Sequence, residues 1–204
     1  MQYIFKNHTG KVENTSKNLC EVQAINVDDP VSAMQQGFYN SNNIWKQTRL
    51  TRINLDMFNK TDDKFYYNIK KKNVNIYNFI YDSYMQQRRY YKHTGDRDFI
   101  ETDNIINYLD ESSNVIGYSK FTDYNTVIDL KLFCVLENKL NITSQKTLNF
   151  ELNLFKEQDY KYAYLGPSFQ RSSIFKSNIQ GFEWWTGTKW STNKREFIKR
   201  CSND

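Results

Sequence analysis

Residues Tyr164–Glu183 read YLGPSFQRSSIFKSNIQGFE, and WWTGTKW follows directly. The stretch is entered through an aromatic and aliphatic run, Tyr160–Leu165, that reads as a buried strand and stops at Gly166-Pro167. A polar, Ser-rich loop carrying Lys176 comes next, and then Glu183 inside an aromatic cluster. A strand that breaks into a loop bearing a cation and a carboxylate is a favoured place for chemistry. The strand fixes the loop's ends while the loop itself faces substrate.

Working outward, the 204 residues make one large domain or two small ones, enough for a sizeable core. Aromatics reach 16%, and seven glycines and two prolines leave little room for disordered linker. There is no run of about 18 apolar residues, and mean hydropathy is −0.80, so no membrane span is expected. The opening MQYIFKNHTGKVENTS lacks the apolar centre of a signal peptide, which makes a soluble, cytoplasmic protein the expectation. Cys20, Cys134 and Cys201 are isolated and form no C-x-x-C; with His8 and His93 they do not build a zinc site, so no metal is expected. Cys134 lies in an apolar alternation and reads as core. Cys201 reads as a surface thiol in the tail.

Net charge is +5, unevenly placed. Lys60, Lys64, Lys70, Lys71 and Lys72 are interleaved with Phe65, Tyr66 and Tyr67. Lys189, Lys194, Arg195, Lys199 and Arg200 form a second basic segment. A solvated lysine-rich surface explains either one alone. Lysines among aromatics also fit a nucleic-acid face, where cations meet phosphate and rings stack on bases.

Along the chain, Asp29-Pro30 starts a short helix that stops before Gly37. Ile44–Phe58 alternates as a strand pair or one long strand, so that Arg49 and Arg52 fall on opposite faces. Asn75–Tyr91 carries Ile76, Phe79, Ile80, Tyr84 and Arg88 at helical spacing. Asp98–Leu109 reads as a second helix from Phe99, Ile105, Ile106 and Leu109. Val115–Tyr124 and Thr126–Leu136 read as strands joined by a turn at Asp123–Asn125. A helix bearing Leu148, Leu152 and Phe155 follows, then the strand Lys161–Leu165. A strand–helix–strand passage after an antiparallel pair implies an α+β class with a mixed sheet and flanking helices. The division expected is a strand-rich, basic segment over 1-72 and a core over 73-204.

This ordering resembles the GNAT-like acyltransferase core, and more specifically the aminoacyl-tRNA–protein transferases, arginyl and leucyl types. The match rests on Tyr164-Leu165-Gly166, Ser172, Phe175-Lys176 and Glu183. Upstream and colinear are Gln36-Gly37-Phe38 with Ser41, Trp45 through Arg52-Ile53, the Tyr81/Tyr84/Arg88 helix before Gly95, and the basic Lys64–Asn73 segment. The chain departs from the family pattern in keeping only Cys20 of the N-terminal cysteines, in a shorter loop after Gly166, and in Pro167 where the family has an aromatic.

The resemblance implies attack of an amine on the ester carbonyl of an aminoacyl-tRNA, with a protein or peptide N-terminus as acceptor and no cofactor. An α-amine with a pKa of ~8 needs only a modest base or an orienting carboxylate. Glu183 is the candidate, against a plain ion pair beneath the aromatics. Lys176 is a candidate for polarising the ester or holding phosphate, and Tyr164 for donating to the leaving oxygen; a surface lysine and a core tyrosine are the plainer readings. Arg88, Arg52, Trp45 and Ser172 are candidates for binding substrate, and Lys64, Lys70, Lys71 and Lys72 for tRNA. Phe182, Trp184, Trp185 and Trp190 form either a stacking platform or a plug on the core. Asn141–Lys146 contains no glycine, so the phosphate-cradling turn of acyl-CoA enzymes is missing. An acyl-CoA-dependent N-acyltransferase and a non-catalytic tRNA- or protein-binding relative are the alternatives.

Overall fold

A computed structural model describes residues 1–9, 18–41, 44–70, 74–87, 104–136 and 143–203. In chain order the elements are β1 (Gln2–Thr9), β2 (Asn18–Ile25), α1 (Pro30–Gln35), β3 (Phe38–Ser41), β4 (Ile44–Gln47) and β5 (Leu50–Asn54). Then come β6 (Tyr66–Asn68), α2 (Val74–Gln87), β7 (Asn104–Leu109), β8 (Val115–Asp123), β9 (Val127–Val135) and α3 (Ser144–Glu157). The last are β10 (Tyr162–Pro167), β11 (Phe182–Trp185), β12 (Trp190–Ser191) and α4 (Lys194–Asn203), with 3-10 turns at Leu55–Met57 and Arg171–Asn178. The class is the expected one, α+β with a mixed sheet and flanking helices.

The chain divides into two compact units. One is Met1–Asn59 with Lys161–Asp204, and the other is the continuous stretch Lys60–Tyr160. The segments 1-72 and 73-204 expected from the sequence divide it elsewhere.

In the first unit β1, β2, β4 and β3 form a sheet in that order, and β12, β11, β5 and β10 lie side by side in another. Ile44–Phe58 is therefore two strands serving different sheets, not a pair. Strand β5 is antiparallel to both β10 and β11. Flanked on both edges and covered on both faces, it buries Leu50, Thr51, Arg52 and Ile53 consecutively. Asp29 caps α1 by accepting from the Ser32 N–H at 3.1 Å. Gly37, at φ +77°, turns the chain out of the helix, and a Cβ there would strike the Trp185 ring. The C-terminal aromatics are a plug on the core: Phe182 and Trp184 pack on Phe197 of α4 at 4.8 and 5.9 Å between ring centroids. Cys201 is buried in α4, not a surface thiol; Cys134 is core as expected.

In the second unit β9, β8, β7 and β6 are neighbours in that order. The β8–β9 hairpin forms as expected, with Asn125 at φ 66° in its turn. Asn104–Leu109 is a strand where a helix was expected; 98–103 lie outside the described residues. Helix α2 buries Tyr77, Ile80, Tyr81 and Tyr84 against Ile105, Tyr118 and Cys134. Ile76 and Phe79, expected on its core face, are exposed. Helix α3 begins at Thr143, whose hydroxyl accepts from the Lys146 N–H at 3.3 Å.

Candidate functional site

Three neighbouring strands put Tyr164, Arg52 and Glu183 on one rung, since Tyr164 is opposite Arg52 and Arg52 opposite Glu183. Arg52 donates from both Nε and Nη2 to Glu183 Oε2, each at 2.7 Å. Its Nη1 donates to the Tyr164 hydroxyl at 3.3 Å. The flat guanidinium lies against the rings of Tyr162 and Trp190, each 3.8 Å from its central carbon. A planar, weakly hydrated cation suits such a slot as an ammonium would not. Arg52 is thus the inward-facing one of the two arginines; Arg49 reaches Phe169 and the Cys201 sulfur.

Glu183 is committed through one oxygen only. Among the described residues nothing bonds its Oε1, and the side chain keeps 17% exposure against 8% for Arg52. Tyr164 is fully buried. Burial pushes its phenol above the usual range, more than Arg52 pulls it down, so it stays a neutral hydroxyl.

Just past this rung the β10–β5 ladder slips between Tyr164 and Pro167, and Gly166 takes φ +73°. Such a bulge interrupts pairing and re-aims the strand, and bulges concentrate beside active sites. Lys176 fastens it: Nζ donates to Leu165 O at 2.7 Å, Ser168 Oγ at 2.9 Å and Pro167 O at 3.4 Å. Thr51 Oγ1 donates to Gly166 O at 2.9 Å from the facing strand.

The structure thus brings Glu183, Arg52, Tyr164 and Lys176 to one locus of the first unit. Trp45 is buried in β4 of the other sheet, and Ser172 is exposed on the 3-10 turn. Lys64 and Lys70 are exposed in the second unit. Arg88, Lys71 and Lys72 lie outside the described residues. Sequence reasoning passed over Tyr162 and Trp190 as the walls of the Arg52 slot. Tyr162 could have been found, because strand alternation puts it on the face of Tyr164. Among the described residues no group of three or more His, Cys, Asp or Glu side chains is placed to hold a metal.

A second polar cluster, also unforeseen, lies in the other unit. Glu151 on α3 is buried and its Oε1 accepts from the hydroxyls of Tyr108 on β7 and Ser119 on β8. Burial raises its carboxyl to about 7, against the opposing pull of those two donors.

No family model and no curated protein sequence matches the chain. Among solved structures it is similar to L-PGS from Bacillus licheniformis (12% identity, TM-score 0.48), covering 58% of this chain and 44% of that one. It is also similar to the C-terminal domain of a putative lysylphosphatidylglycerol synthetase from Agrobacterium fabrum (8%, 0.45; 59% and 46% covered). A third is a probable N-acyltransferase from Enterococcus faecalis (13%, 0.36; 68% and 36%). The matches span less than half the length of these proteins. None of these likenesses assigns an activity to the chain.

Proposed function

We propose that the chain is a GNAT-like aminoacyltransferase that moves an amino acid from an aminoacyl-tRNA to an amine, the N-terminus of a protein or peptide. The observation that supports it is the state of Glu183. One carboxylate oxygen is held by Arg52 and the other is left to receive an amine N–H, next to a strand whose ladder is interrupted.

In this reading Glu183 Oε1 orients the acceptor amine toward the ester carbonyl. The amine nitrogen forms the new C–N bond, the bond from the carbonyl carbon to the ribose oxygen breaks, and the amine's proton ends on that oxygen. Because the ester is already activated, alignment supplies most of what the reaction needs. Arg52 fixes Glu183, while Tyr164 and Lys176 act as positioning residues, one through Arg52 and the other through the bulge carbonyls. The exposed Lys194, Arg195 and Lys199 of α4 belong to the same unit and offer phosphate contacts. An acyl-CoA donor fits less well. The first turn of α3 is capped by its own Thr143 side chain, and no glycine turn precedes it.

The test is transfer of radiolabelled amino acid from a mixed pool of charged tRNAs onto peptides differing in their first residue. Label in any peptide should fall by about a hundredfold or more in Glu183→Gln, with circular dichroism unchanged. Tyr164→Phe, which keeps the ring, should retain partial activity. No label despite tRNA binding would point to a binding module. Neither label nor tRNA binding would remove tRNA from the account and put acyl-CoA donors next.

A further inference from the structure

Six large apolar side chains are exposed between residues 66 and 79: Tyr66, Tyr67, Ile69, Val74, Ile76 and Phe79. Phe79 is 66% exposed and Tyr66 71%. Strand alternation puts Tyr66 and Asn68 on one side of β6 and Tyr67 on the other, where its ring lies 5.1 Å from that of Phe150. The side of Tyr66 and Asn68 belongs to α2: Asn68 faces Asn107 across the ladder, and Asn107 is bonded by Tyr77 of α2.

Hydrogen bonds join the two elements. Tyr77 donates its hydroxyl to Asn107 Oδ1 at 3.0 Å and, alternatively, to Lys70 O at 3.3 Å. Asn107 Nδ2 donates to Asn68 Oδ1 at 2.8 Å and to Lys70 O at 2.7 Å. The end of β6 is thereby tied to the first turns of α2. Those turns carry Val74, Ile76 and Phe79 outward, away from the buried stripe Tyr77, Ile80, Tyr81 and Tyr84. A solvated helix face does not ordinarily present a phenylalanine and two β-branched aliphatics.

We propose that this face, the outer side of β6 with the N-terminal half of α2, docks on an anionic lipid surface. Charge selects the partner. Of the described charges on this stretch, Lys60 is paired with Glu157 at 3.0 Å and Asp62 is exposed beside Lys64. Lys64 and Lys70, both exposed, flank Tyr66, whereas Asp63 is bonded to Thr61 and Asn149. Lysine stems lie along apolar surface while their ammonium groups reach lipid phosphates, and tyrosine and phenylalanine settle at the headgroup boundary. Chemistry separates this from a nucleic-acid face: Val74 and Ile76 have no π surface to stack on a base, but both gain from hydrocarbon. Asp82, on the turn after Phe79, limits insertion to the headgroup level, so the docking is peripheral. The inference is independent of the reaction at Glu183.

Co-sedimentation with vesicles tests it, using equal parts phosphatidylglycerol and phosphatidylcholine against phosphatidylcholine alone. The chain should pellet with the anionic vesicles only, and less as salt rises. Val74→Ser with Phe79→Ser should weaken binding by at least about tenfold with little change in melting temperature, since these side chains are 50% and 66% exposed. Lys64→Glu with Lys70→Glu should do the same. Failure to pellet with phosphatidylglycerol vesicles at low salt would overturn the proposal, as would pelleting that the serine variant leaves intact. Loss of tRNA binding in the serine variant, without vesicle binding by the parent chain, would reassign the face to nucleic acid.

Discussion

Replacing Glu151 by glutamine should change how stability depends on pH. The carboxyl is buried on α3, and its proton is held up to about 7 where 4.5 is ordinary. The unfolded chain releases that proton near 4.5 while the folded chain keeps it. Between those values the unfolded state binds fewer protons, so stability falls as pH rises. It is highest below about 4.5 and has lost its full share once pH passes about 7. At about 1.4 kcal/mol per pH unit the gap amounts to about 3 kcal/mol. Glu151→Gln keeps the shape and one acceptor oxygen for Tyr108 and Ser119 but has nothing to ionise. The two proteins should therefore be nearly equal near pH 4.5, with the variant ahead by about 3 kcal/mol at pH 8. Urea unfolding followed by circular dichroism across that range measures the difference, and hydrogen exchange of the β7 and β8 amides localises it. If the variant kept the wild-type slope, or were the less stable at pH 8, the two hydroxyl donors would outweigh burial and the reasoning would fail.

Two glycines in the left-handed region should respond differently to alanine. Gly37→Ala meets the Trp185 ring as well as an unfavourable φ and should cost about 3 kcal/mol. Gly166→Ala has nothing within 4 Å of the new carbon and should cost about 1 kcal/mol, as melting curves would show. Arg52→Lys keeps the charge but loses the flat contact with Tyr162 and Trp190 and the twin bonds to Glu183. It should destabilise by about 2–4 kcal/mol; a change below about 1 kcal/mol would mean the slot contributes little. Cys134 and Cys201, both buried, should react with a thiol reagent only at the rate of opening, and fast labelling of Cys201 would contradict the packing of α4.

Where local chemistry decides, the sequence was legible. Asp29-Pro30 and Gly37 bound α1, and Asp123–Asn125 turns the β8–β9 hairpin; each signal lies within a few residues of the element it controls. Strand β7 was misread because Ile105, Ile106, Asn107 and Tyr108 are all buried. A strand covered on both faces shows no alternation, and a short apolar run fits a helix equally well. On α2 the spacing was helical but the phase was off: Tyr77, Ile80, Tyr81 and Tyr84 face the core, and Ile76 and Phe79, each one residue away from that stripe, do not. The C-terminal helix had a signal that went unused: Asn193 accepts from the Glu196 N–H at 3.1 Å, an Asn-x-x-Glu start. In the candidate site, the sequence supplied Glu183, Tyr164, Lys176 and Arg52 as separate residues. Their convergence depends on strand register between segments 112 and 131 positions apart, which no short pattern encodes.

The first unit is discontinuous, and this bears on how the chain is made. Residues 60–160 form a contiguous unit that can close while synthesis continues. Strand β5 leaves the ribosome more than a hundred residues before either strand that flanks it. Until Lys161–Asp204 is complete, both its edges are open and Arg52 has neither its carboxylate nor its aromatic walls. A nascent chain in that state exposes a strand ready to pair with the wrong neighbour. A stalled or C-terminally truncated product should therefore be the aggregating species, one that keeps a folded middle unit and lacks the entire Arg52–Glu183 rung.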